Sequence, residues 1–230
     1  MLSDWSKQCV MQGDSMTFFR RGSSARPLRY FLYISETKVD NLLPQIPPKF
    51  LRTMGFEVSV NAMVASAVVR RERPEEPVAL STRVSLLSDY IVQHERVGTI
   101  EDPAPYIGAV SRLRFGVVAD YASELAFFGG EVDGVKLGLI GSSSSMVGAA
   151  DPIASDNGLE YYTLLFLNGV VDQETLSPGR AMGIYEPGRA IDLALQLVPA
   201  QEHRLEFLAK TIRVEDGLVL ATPIYVAMAD

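Results

Sequence analysis

Residues 106–140 read YIGAVSRLRFGVVADYASELAFFGGEVDGVKLGLI, three apolar runs separated by short polar breaks. In the first run Ile107, Ala109, Leu113, Phe115 and Val117 fall on one face, while Arg112 and Arg114 share the other. Such alternation is the period of a strand. Strands are expected near 106–119, 122–130 and 134–141. Between the last two, Glu131-Val132-Asp133-Gly134 carries an Asp-Gly hairpin signal. Connections this short pair strands antiparallel, so the expectation is a meander.

Working towards the N-terminus, residues 77–93 place Leu80, Val84, Leu87 and Ile91 at helical spacing, behind the proline-rich stretch Pro74-Glu75-Glu76-Pro77. Phe56 to Val69 alternates and predicts another strand. Tyr30-Phe31-Leu32-Tyr33-Ile34 is a short buried strand, and Ser35-Glu36-Thr37-Lys38 opens a helix carrying Val39, Leu42, Leu43 and Ile46. Pro47-Pro48 breaks that helix or restarts it.

Towards the C-terminus, Gly141 to Gly148 is a serine-rich turn, residues 158–171 form a helix apolar all round, and 174–189 form a Gly/Pro-rich loop. Ile191, Leu193, Leu195 and Leu197 alternate with Asp192, Ala194 and Gln196, which predicts a strand. Pro199 then opens a helix containing Leu205, Leu208 and Ile212, and Leu218 to Met228 is a final strand. Strands and helices mix without strict alternation. The fold class expected is therefore α+β, one domain with a mixed, mainly antiparallel sheet and helices packed on it.

Composition agrees with one ordered domain. The chain has 230 residues, 47% hydrophobic and 21% charged, which excludes disorder. Residues 1–28 read as an N-terminal extension and 29–230 as the domain. The net charge of −7 weighs against a nucleic-acid backbone as partner. The single cysteine, Cys9, excludes an intrachain disulfide and a Cys/His zinc framework, so no metal site is expected. No signal-peptide core and no apolar run long enough to span a membrane is present. The expectation is a cytoplasmic protein.

Residues suited to chemistry are few. His94 and His203 both sit among polar neighbours. Asp120, Glu124, Glu131 and Asp133 fall near strand ends, with no spacing that isolates a catalytic pair. Two polar loops follow strands. One holds Ser35 and Lys38, where Lys38 could hold an anion while Ser35 caps a helix; capping alone explains it more simply. The other holds Ser142, Ser143 and Ser144, which could offer hydroxyls and N–H groups to an anion or merely cap a short helix. Arg112 is a third candidate, because arginine suits phosphate and carboxylate.

Four stretches point to a family. They are Tyr30-Phe31-Leu32-Tyr33-Ile34-Ser35 with Lys38-Val39-Asp40 and Leu42-Leu43-Pro44-Gln45-Ile46; Phe128-Gly129-Gly130-Glu131 with Gly141-Ser142 and Val147-Gly148; Leu205-Glu206-Phe207-Leu208-Ala209-Lys210; and Leu220-Ala221-Thr222-Pro223-Ile224-Tyr225-Val226-Ala227. On these, residues 29–230 resemble a bacterial family of unknown function, common in actinobacteria and often labelled after a Streptomyces locus. The resemblance implies a role in sensing or defence and carries no catalytic or ligand residues.

The leading expectation is a non-enzymatic module of a bacterial stress or defence system. It would bind a protein partner of that system or a small anionic ligand, such as a nucleotide, through Ser35, Lys38, Arg112 and Ser142 to Ser144. One alternative is a metal-dependent hydrolase or nuclease using the carboxylates. Another is a homo-oligomerising structural subunit, with 158–171 and 174–189 at the interface. No resident cofactor is indicated.

Overall fold

The computed structural model describes residues 28–53, 78–118, 125–148 and 187–229. Cys9, Asp120, Glu124, the 1–27 stretch, the alternating segment 56–69, the helix at 158–171 and the loop at 174–186 lie outside the described residues.

The elements run β1 (Tyr30–Ile34), α1 (Glu36–Leu42), a 3-10 turn (Leu43–Gln45), α2 (Pro48–Thr53), α3 (Leu80–His94), β2 (Val97–Gly98), β3 (Tyr106–Val117), β4 (Leu125–Val132), β5 (Val135–Ser142), a 3-10 turn (Ser143–Ser145), α4 (Pro187–Leu197), β6 (His203–Glu215) and β7 (Leu218–Met228). The meander expected at β3–β4–β5 is present, antiparallel throughout. Its tight turn places Asp133 at φ 48° and Gly134 at φ 80°, the two positive values a type I′ turn requires.

The sheet closes on itself. β5 runs parallel to β7, β7 antiparallel to β6, and β6 antiparallel to β3, so five strands form a ring in the order β3-β4-β5-β7-β6. With α4 between its third and fourth strands, the ring has the connectivity of an OB-type barrel. Closure leaves these strands few exposed edges. β1 extends the barrel by pairing with the last residues of β7, and β2 adds a short parallel pairing to β3. The class is α+β, as the sequence predicts; the closed barrel is a further feature that the alternation does not reveal.

Ile107, Leu113, Phe128, Leu137, Leu139, Leu205, Phe207, Val219 and Val226 form the main core cluster, with Tyr33 of β1 joining it. Two outer faces are also covered. Val39 and Leu43, with Val84, Leu87 and Ile91 of α3, pack on Leu208, Ile224, Tyr225 and Ala227. α4 lays Ala190, Ile191 and Ala194 against Leu125, Phe127, Ile140 and Leu220. At Gly138 a Cβ would sit 2.9 Å from Ile191 Cγ1, so glycine here is what lets α4 approach β5 so closely.

Two expectations are corrected. Residues 191–197 are part of helix α4 and not a strand. The buried set Ala190, Ile191, Ala194 and Val198 steps by 1, 3 and 4, a helical face that the coincidental 191–197 alternation masks. Conversely, the helix expected from Pro199 is strand β6. There Leu205, Phe207 and Ala209 face the main core while Leu208 is buried under the helices on the other side. Burial on both faces erases the alternation, so Leu205, Leu208 and Ile212 mimic helical spacing.

Candidate functional site

β1 ends at Ser35, whose N–H donates to the Ile224 carbonyl at 2.9 Å and whose own carbonyl accepts from Val39 N–H at 3.0 Å. Ser35 therefore stands where a strand becomes a helix, in extended conformation at φ −77°, ψ 93°. Its hydroxyl makes no capping bond to α1. It accepts instead from Lys38 Nζ at 3.1 Å. A helical side chain leans towards the N-terminus of its helix, which is why Lys38 reaches back one turn to this hydroxyl.

Lys38 is partly buried, and burial lowers its ammonium from the usual lysine range to about 8. Desolvation disfavours the charged form, and among the described residues no carboxylate compensates for it. The acids beside it on α1 are engaged elsewhere. Arg83 of α3 donates to Glu36 Oε1 at 2.9 Å and also to Asp40 Oδ1. That exposed network ties α1 to α3 and leaves Lys38 with Ser35 as its hydrogen-bond partner among the described residues.

The serine turn lies alongside. Val147 N–H donates to the Leu32 carbonyl at 2.9 Å, and Tyr33 pairs antiparallel with Met146. The residues that follow the serine turn, Met146 and Val147, therefore run beside β1. Ser142 accepts from Ser144 N–H at 3.3 Å and shares a 2.7 Å hydroxyl contact with Ser144, while Ser143 O accepts from Met146 N–H at 3.0 Å. This is the capped 3-10 turn the sequence suggests. The Tyr33 hydroxyl wedges the seam: a Cβ at Gly141 would lie 2.1 Å from it.

Arg112 is placed elsewhere. It is exposed on the barrel's outer surface, paired across strands with Arg204 of β6. Arg204 sits beside Ala229, whereas Ser35 sits beside Ile224, so five residues of strand, about 17 Å, separate the two rows. Arg112 is therefore not brought to Lys38, nor to the serine turn, since the strand partner of Ser142, Leu125, sits beside Val118, six residues along the chain from Arg112. Arg114 is structural: it donates to the carbonyls of Val198 and Pro199, at 3.0 Å each, and secures the end of α4.

His94 is exposed at the end of α3, stacked on Tyr90, and His203 packs edge-on against Phe115. Among the described residues no three His, Cys, Asp or Glu side chains gather as a metal site would require. Glu131 and Asp133 flank the β4–β5 hairpin, where Asp133 serves the turn.

The sequence reading misses a polar cluster at the other end of β1. Arg29 forms an ion pair with Glu206 at 2.8 Å, the Tyr225 hydroxyl donates to the same Glu206 oxygen at 2.6 Å, and the guanidinium lies 5.2 Å from the Tyr225 ring centre. An acid between Leu205 and Phe207 in an apolar strand was the available signal. The Ser-x-x-Lys spacing at 35–38 was another.

Residues 29–230 match the model of a family of unknown function, DUF7019, and the chain belongs to that family. No curated protein and no solved structure matches it.

Proposed function

We propose that this DUF7019 member is a binding module for a small anionic ligand, seated on Lys38 at the junction of β1 and α1, with Ser35 and the Ser142 and Ser144 hydroxyls beside it. The observation that carries this is a desolvated ammonium with no carboxylate partner among the described residues. An uncompensated cation is costly, and an anion is the partner that offsets the cost. The serine turn, which leads into Met146 beside Tyr33 of β1, supports the reading as a second source of hydroxyl groups. The setting we propose is a bacterial stress or defence system in which the anion is a signal passed to a protein partner.

The test is isothermal titration with inorganic phosphate, pyrophosphate and a panel of nucleotides. Lys38→Met is expected to weaken the tightest of these tenfold or more, since a charge-assisted hydrogen bond is worth about 1.5–3 kcal/mol. Equal affinity in wild type and Lys38→Met would sink the reading. The sign of the pH dependence is also set. A lysine titrating near 8 must be protonated to hold an anion, so affinity falls as pH rises above 8.

A further inference from the structure

The bond between Ser35 and Lys38 has a chemical consequence that anion binding does not use. A serine hydroxyl within hydrogen-bond reach of an amine that has no counter-ion among the described residues is a nucleophile beside its base. Serine–lysine pairs are one of the recurring variants of the catalytic triad. Ser-x-x-Lys across one helical turn is a spacing known in serine acyl-transfer enzymes of an unrelated fold, which makes it a motif to be judged by geometry alone. Here the geometry is present: Lys38 Nζ lies 3.1 Å from Ser35 Oγ, and the Ser35 hydroxyl is not spent on capping α1.

We propose that Ser35 is a nucleophile activated by Lys38 and that it accepts an acyl group from small activated esters. Neutral Lys38 takes the Oγ proton as Oγ attacks the carbonyl carbon. The tetrahedral adduct collapses to the Ser35 ester, and the proton passes from Lys38 to the departing alcohol. Water attacking the ester with the same base returns Ser35 and releases the acid. Water is the one co-reactant, and neither an oxidant nor a metal enters this balance. Ser35 is 4% exposed, so the proposed reaction is one in which only a small acyl group such as acetyl, and then a single water, reaches the hydroxyl. The burial that lowers the ammonium keeps a usable fraction of Lys38 neutral near pH 8.

This inference rests on the same residues as the anion site but on the opposite protonation state of Lys38, so the two separate cleanly. Full-length protein would be incubated with p-nitrophenyl acetate and, in parallel, with a small fluorophosphonate, then read by intact mass and peptide mapping. The expected result is one adduct on Ser35, forming faster as pH rises through 8, whereas anion affinity falls over the same range. Ser35→Ala should lose the adduct. Lys38→Arg keeps a cation but removes the base; it should slow labelling at least a hundredfold while weakening phosphate binding less than Lys38→Met does. Adducts on Lys38 or another residue, labelling no greater than in Ser35→Ala, or an unchanged rate in Lys38→Arg would each overturn the assignment. Circular dichroism of each variant keeps loss of fold from passing as loss of chemistry.

Discussion

Arg29 and Lys38 bracket β1, one just before it and one just after, and the fold treats them in opposite ways. Arg29 enters an ion-paired cluster, bound to Glu206, with Tyr225 donating to the same carboxylate and lying beneath the guanidinium, although its Nε finds no partner among the described residues. Lys38 is taken from water and given one hydroxyl. The first arrangement fastens the start of β1 to β6 and β7. The second adds nothing to stability that an apolar side chain would not supply. A buried charge left uncompensated is more readily understood as a functional group than as a structural one.

The largest effect expected from breaking this contrast is at the ion-paired end. Glu206→Ala leaves a partly buried guanidinium and the Tyr225 hydroxyl without their acceptor. Removing one partner of a buried pair costs about 3–5 kcal/mol, towards the lower end here because Arg29 keeps some exposure. Urea denaturation monitored by tryptophan-independent far-ultraviolet circular dichroism would measure it. A loss below about 1 kcal/mol would mean that the cluster is a surface ion pair.

At the other end the sign reverses. Lys38→Met should stabilise the protein at pH 7 by about 1–3 kcal/mol, because folding depresses the lysine from 10.5 to about 8 and each unit represents about 1.4 kcal/mol. A base depressed by folding binds fewer protons in the native state, so unfolding takes up a proton between pH 8 and pH 10.5. Wild-type stability relative to Lys38→Met should therefore be lowest below pH 8, rise through that window and level off above it. A constant difference between the two proteins from pH 7 to pH 10.5 would show that Lys38 is solvated. A variant more stable yet defective in anion binding and acylation is the signature of a functional lysine.

These contrasts also explain what the sequence disclosed. β1, the β3–β5 meander and β7 were legible because each run is bounded by turn residues such as Asp133-Gly134. β6 and α4 were exchanged because burial is two-sided at 205–209 and because 191–197 alternates by chance. Ring closure depends on β6 pairing with β3 and β7 at once, a long-range fact with no local pattern. Ser35 and Lys38 were visible as a loop, but that the residues after the serine turn run beside β1 follows only from the pairing of Tyr33 with Met146. Arg112 was visible too. What it faces, Arg204, follows only from register.

That last pair gives the smallest effect and a sharp control. Arg112 and Arg204 are cross-strand neighbours of like charge, both exposed, and among the described residues neither has an ion pair. Like charges directly opposite on a sheet oppose pairing, and cross-strand pairs contribute about 0.2–1 kcal/mol. Arg204→Thr should therefore raise stability by about 0.5 kcal/mol, with half of that gain screened by moderate salt. Thermal melts at low and moderate ionic strength would read it. Lys38→Met should respond little to the same salt, since its penalty is desolvation and not repulsion between surface charges. If instead the gain from Lys38→Met fades with salt as the gain from Arg204→Thr does, the two cations are alike, and the distinction between a buried functional lysine and an exposed one collapses.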